Sequence, residues 1–193
     1  NSNFTNINIL SNINSFDIDL DSTTLIIEKG NNFNVSTNNK YITYKDENGK
    51  IKIDENDHFS FNTNYVLKII IPENYTFNSL GIESDAGVID INSVKANLIS
   101  LELNSGELTI NKIEVYSKLK INGGAGSINI LSSNVNNLDL NMGVGNCNLN
   151  VYLKGFNKIS AGVGQLNIDL FASINNYTFK LFKGIGDIDI NNE

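Results

Sequence analysis

Leu119-Lys120-Ile121-Asn122-Gly123-Gly124-Ala125-Gly126-Ser127-Ile128-Asn129-Ile130 is followed by Leu138-Asp139-Leu140-Asn141-Met142-Gly143-Val144-Gly145-Asn146-Cys147-Asn148-Leu149. Set glycine on glycine, Gly126 on Gly145, the two stretches match column by column. Apolar residues stand five before and two and four after the glycine, with polar residues between. The same frame recurs at Gly87, Gly106, Gly164 and Gly186. Successive glycines are separated by 19, 20, 19, 19 and 22 residues, a solenoid-like period. Five before the glycine stand Ile82, Leu101, Ile121, Leu140, Ile159 and Leu181. Two after stand Ile89, Leu108, Ile128, Cys147, Leu166 and Ile188, and four after stand Ile91, Ile110, Ile130, Leu149, Ile168 and Ile190. Between those last two columns lie Asp90, Thr109, Asn129, Asn148, Asn167 and Asp189. Such alternation, with a period of two, marks half-buried strands.

Each repeat reads as a strand, a tight turn at the glycine, a second strand and a variable return. One repeat cannot bury its own apolar column, whereas stacked repeats make one continuous core. The expectation is a single all-β domain, a β-solenoid of about 19–20 residues per turn, with Gly87, Gly106, Gly126, Gly145, Gly164 and Gly186 as structural turn glycines. A β-sandwich of hairpins is the alternative, in which the two strands of a repeat pair with each other. Residues 65–193 read as the regular repeats. Residues 1–64 read as irregular capping turns that carry a hairpin at Asp46-Glu47-Asn48-Gly49. Phe59-Ser60-Phe61 and Tyr65 to Ile71 continue the strand pattern, and Pro72 closes it. Phe171, Tyr177, Phe179 and Phe182 suggest a bulky last turn that covers the open end. One column is broken: Asn157 replaces the apolar residue seven before the glycine.

Composition removes whole classes of function. The 193 residues include 36 Asn and 27 Ile, no Arg or Trp, and one each of Pro, Cys, Met, His and Gln. One Cys excludes a disulfide framework or a cysteine metal finger. A net charge of −7, with Lys as the only strong base, argues against nucleic acid as a partner. No apolar run is long enough to span a membrane. Opening on Asn1 leaves room for a removed signal peptide or anchor, or for an arbitrary boundary. Sequons at Asn3, Asn34, Asn74 and Asn176 are what so much Asn yields by chance.

Several stretches resemble the bacterial "putative adhesin" domain family. They are Ile69-Ile70-Ile71-Pro72-Glu73, then Leu80 to Ile91 with its Ser84-Asp85-Ala86-Gly87 turn, then Asn104-Ser105-Gly106-Glu107-Leu108-Thr109-Ile110. The Asp17 to Ile27 segment and the Asn48-Gly49 hairpin look like the family's opening. The resemblance implies a right-handed β-solenoid in envelope or surface proteins, extracytoplasmic and often behind a membrane anchor. The family has no established catalytic residues to carry over.

The chemical motifs are weak. Gly143-Val144-Gly145, Gly162-Val163-Gly164 and Gly184-Ile185-Gly186 precede strands, whereas a nucleotide loop precedes a helix. Gly123-Gly124-Ala125-Gly126 lacks the aspartate of a calcium nonapeptide, where Ile128 stands instead. Asp17, Asp19 and Asp21 share a strand face, and Asp54, Glu55 and Asp57 precede His58. They read as a solvated acidic face, with weak calcium binding as the alternative. His58 reads as a surface-loop histidine and Cys147 as a small core residue. Asn129, Asn148 and Asn167 have the spacing of a hydrogen-bonded ladder. No cofactor, metal site or catalytic residue is expected. The readings that remain are a non-enzymatic envelope domain binding an envelope protein or a glycan, an envelope-stress accessory with a membrane partner, and, remotely, a carbohydrate-active β-helix enzyme.

Overall fold

The structure is a computed structural model and describes residues 3–9, 11–59, 64–171 and 177–192. Asn1, Ser60, Phe61 and the Asn176 sequon lie outside the described residues. Every regular element among the described residues is a strand. In chain order they are β1 (Thr5–Asn6), β2 (Ser15–Leu20), β3 (Thr24–Gly30), β4 (Asn34–Thr37), β5 (Ile42–Glu47), β6 (Lys50–Glu55) and β7 (Val66–Pro72). Then come β8 (Thr76–Ile91), β9 (Val94–Ile110), β10 (Ile113–Asn136), β11 (Leu138–Leu170), β12 (Tyr177–Ile185) and β13 (Ile188–Asn192).

From β8 onward each coil pairs in parallel with its own copy one turn later. Ile82 pairs with Leu101, Leu101 with Ile121, and Ile121 with Leu140. Gly87 pairs with Gly106, Gly106 with Gly126, and Gly126 with Gly145. Like residues pairing with like, in parallel, is the solenoid arrangement, and it excludes the hairpin sandwich. The expected strand–turn–strand repeat is smoother than the sequence suggests. Pairing runs through the glycine, so β8, β9 and β10 each cross it as one bent strand.

The apolar columns form the core. Ile82, Leu101, Ile121, Leu140 and Ile159 are buried one above another, as are Ile91, Ile110, Ile130, Leu149 and Ile168. Each fully buried Ile or Leu contributes about 1.5–3 kcal/mol over an exposed one. Cys147 is buried in the column between Ile128 and Leu166, where burial pushes its thiol up to about 12. Asn157, the polar residue in an apolar column, is also buried. Its side-chain carbonyl accepts from the Leu138 amide at 2.8 Å, and its amide donates to the Lys154, Gly155 and Thr178 carbonyls at 3.2–3.4 Å. It satisfies backbone groups freed where Gly155 takes φ +76°.

The N-terminal third stacks out of chain order. β2 and β3 form a coil that pairs with β8 on one side and with β6 and β7 on the other. The chain therefore lays down an inner coil first, then an outer one, and then crosses back to continue as β8. Val66–Pro72 belongs to that outer coil, so the regular run begins at Thr76, not at residue 65. Antiparallel strands end this side of the stack: β5 pairs with β6, β4 with β7, and β1 with β4. The β5–β6 hairpin turns at Asn48 and Gly49, both with positive φ, as the Asn-Gly signal predicts.

At the other end of the stack the inward column is partly exposed. Ile188 and Ile190 are each 43% exposed, although their equivalents in the preceding coils are buried. Phe171, Tyr177, Phe179 and Phe182 do not cover them. Tyr177 and Phe179 pack against the edge of the core, while Phe182 faces solvent. Among the described residues, none stacks on the inward column of the last coil.

Candidate functional site

The outward rows come first, because the stack converts each repeat position into a straight line of side chains. Asn148 donates to Asn129 and Asn167 donates to Asn148, both at 2.8 Å, which makes an amide ladder across three coils. Asn111 to Asn92 at 2.9 Å and Asn104 to Asp85 at 2.8 Å repeat the device elsewhere. These amides bond to one another, so the ladders hold neighbouring coils in register.

The acidic face is also a row. Asp54, Asp19, Glu83 and Glu102 occupy successive coils in register. Partial burial, then Asp54, Asp85 and Asp17, raise the Asp19 carboxyl above its usual value. Partial burial, then Asp19, Glu102, Asp17 and Asp85, do the same for Glu83. Among the described residues no group of three His, Cys, Asp or Glu side chains is arranged to hold a metal ion.

His58 is not the surface-loop histidine that the sequence suggests. Its side chain is only 6% exposed and stacks face to face on Tyr41, ring centroids 4.0 Å apart, with Tyr65 edge-on at 5.8 Å. Its Nε2 lies 3.0 Å from Oε1 of the buried Glu55. The other Glu55 oxygen accepts from the backbone amides of Asp21, Ser22 and Thr23, and Asn39 donates to Oε1. Burial pushes the Glu55 carboxyl up, but the hydrogen bonds from His58, Thr23 and Asp21 outweigh it and hold the group below its usual value. The outer coil thus clamps the β2–β3 corner of the inner coil. The arrangement locks the two coils together through Glu55.

Five of the six turn glycines, Gly106 to Gly186, have φ between 120° and 134°. Gly87 is not among the positive-φ residues, because its coil stacks on the differently built β2–β3 corner. No helix N-terminus meets these glycines, so they form no phosphate cradle.

A solvent-open recess lies on the return face of the stack, a groove of about 580 Å³. Its wall is built from Glu114 and Tyr116 on β10, Asn134 and Asn136 at the end of β10, and Tyr152 and Lys154 on β11. Tyr116 and Tyr152 are each 47% exposed, and Phe171 packs beside Tyr152 at 5.4 Å. The Tyr116 hydroxyl donates to Glu114 at 2.8 Å, which raises its pKa, and burial adds to the effect. The Asn136 amide donates to the Tyr116 carbonyl at 2.9 Å. The sequence columns did not mark this groove, because its residues lie in the variable returns rather than in the repeat frame.

The Toastrack DUF4097 family profile matches residues 13–192, nearly the whole stack. The chain belongs to that family. No curated protein matches it. Among solved structures it is similar to a "putative adhesin" from Bacteroides fragilis. The two are 12% identical with a TM-score of 0.60, over 100% of this chain and 98% of that one. It also aligns with a "putative cell adhesion protein" from Clostridium sporogenes at 13% identity and TM-score 0.45, over 99% of each chain. A "putative adhesin" from Parabacteroides distasonis aligns at 16% and 0.47, over 100% and 98%. At such identities the first likeness shows a shared fold, and the other two add nothing to that.

Proposed function

We propose that this Toastrack domain is a non-enzymatic binding scaffold displayed outside the cytoplasm, on the bacterial cell envelope. The observation that carries the reading is the outer surface itself. Parallel in-register stacking presents side chains in rigid rows, one per coil, and some rows expose large apolar and aromatic groups such as Tyr116, Tyr152, Phe156 and Val144. A rigid surface of that kind holds a partner with little ordering cost. One solved protein of the same fold, from Bacteroides fragilis, carries the name "putative adhesin", and that supports the envelope setting.

Protease shaving of intact cells producing the full-length protein tests the location. Loss of the domain from intact cells is expected, and complete protection would overturn the reading. Beads coated with the purified domain test adhesion. They are expected to attach to envelope or host-surface material more strongly than uncoated beads.

A further inference from the structure

We propose that the return-face groove binds an uncharged oligosaccharide. This deepens the scaffold reading and rests on it for where the ligand is met.

The groove coincides with the irregular part of an otherwise regular stack. Val115 pairs with Ala96 but Lys118 pairs with Leu98, so β10 carries one extra residue at Tyr116–Ser117. Ile130 pairs with Leu149 but Ser133 pairs with Val151, so β10 carries a second extra residue at Leu131–Ser132. Ser132 and Asn137 take positive φ without being glycine, and Gly155 takes φ +76° beside Phe156, which is 79% exposed. Bulges re-aim side chains and gather beside functional sites. Tyr116 follows buried Val115 and Tyr152 follows buried Val151, so strand alternation puts both rings on the outer face, and the extra residues lie beside them.

The chemistry of the wall selects the ligand class. Half-exposed Tyr rings offer electron-rich faces to the C–H face of a pyranose while their hydroxyls stay wet. Asn134 and Asn136 supply both donors and acceptors for hydroxyl or acetamido groups. The groove lining carries one charge of each sign, Glu114 and Lys154. That leaves no field to gather polyanions. The wall from Tyr116 to Phe171 crosses three coil steps, about 14 Å at ~4.8 Å per step. That is a trough for several linked rings rather than a pit for one. A protein segment would find less here, because the polar side chains alternate with the aromatic ones and break up any continuous apolar strip.

The chain has no Trp to mask tyrosine emission, and two of its seven Tyr, Tyr116 and Tyr152, line the groove. Chitotetraose, cellotetraose and a tetragalacturonate are titrated into the folded domain by fluorescence and calorimetry. Saturable binding of at least one uncharged tetramer is expected. Tyr152→Ala and Asn136→Ala should each weaken it about tenfold. Thr43→Ala, on β5 and outside the groove lining, should leave it unchanged. Circular dichroism identifies any variant that fails to fold, and Tyr152→Phe, which keeps the ring, should keep most of the binding. The proposal is overturned if Tyr152→Ala binds as the parent does. It is also overturned if only the polyuronate binds, if no tetramer binds, or if the groove captures a peptide instead. Because binding is read on purified protein, its failure is separable from a failure of the shaving experiment.

Discussion

Replacing Gly145 with alanine should break the stack at its centre. Gly145 has φ +134°, and a Cβ there would stand 1.8 Å from the Gly126 carbonyl oxygen of the preceding coil. Real Cβ atoms essentially never approach closer than 3.0 Å, so the coils must part by the difference, 3.0 − 1.8, or 1.2 Å. The obstacle is backbone and cannot rotate away. Strain at such a φ costs about 1–3 kcal/mol, and each interstrand hydrogen bond stretched by the parting costs about 1 kcal/mol, for a total of about 3–5 kcal/mol. Gly87 is the internal control. Its φ is not positive, and a Cβ there would meet nothing closer than 3.3 Å, at the Ser22 carbonyl and the Ser84 hydroxyl. Gly87→Ala should therefore cost under about 1 kcal/mol. Urea unfolding followed by circular dichroism measures both. The reasoning fails if Gly145→Ala lies within about 0.5 kcal/mol of the parent, or if the two substitutions cost the same.

Asn148→Ala removes a donor to Asn129 and an acceptor for Asn167, and should cost about 1–3 kcal/mol in the same assay. Glu55→Gln loosens the clamp on Asp21–Thr23. Because the folded carboxyl sits below its unfolded value, the clamp is present above the unfolded pKa and lost as pH falls through the folded one. The variant should accordingly be destabilised at pH 7 and converge on the parent in acid. Asp19→Asn should do the reverse. Its raised carboxyl means that folding favours the protonated form below the unfolded pKa and loses that contribution as pH rises through the folded one. Removing the charge should raise stability at pH 7 by about 0.2–1 kcal/mol, with no gain in acid. Cys147 should resist thiol reagents in the folded protein and react only on unfolding, since burial has pushed its pKa to about 12.

Most of the regular stack is legible in the sequence, because each coil repeats the same physical problem. Ile128 and Ile130 around Asn129 must point as Ile89 and Ile91 around Asp90 do, and the glycine column fixes the period. What escapes is whatever depends on contacts between unlike segments. That β3 slots between β7 and β8 follows from matching columns across loops, Leu25 on Ile89 and Leu67 on Leu25, which no local pattern encodes. His58 looked solitary because two of its neighbours, Tyr41 and Tyr65, arrive from separate loops. Glu55 was visible three residues away, but not as its ion-pair partner. The groove lay hidden for a related reason. Tyr116 and Tyr152 face outward by ordinary alternation, but they stand in returns offset by inserted residues, so no common column aligns them. Tyr177 and Phe179 of the aromatic last turn do pack against the core, while Phe182 is exposed.

The ladders, the glycine column and the groove all rest on in-register parallel stacking, and spin-label distances measure that directly. Val88 pairs with Glu107, Glu107 with Ser127, and Ser127 with Asn146, each on the next coil. Labels at residues 88 and 127, then at 88 and 146, placed in a Cys147→Ala background, should report backbone separations of about 10 and 14 Å, growing by ~4.8 Å per coil. A separation that does not grow by one strand spacing per repeat would contradict the solenoid and everything derived from it.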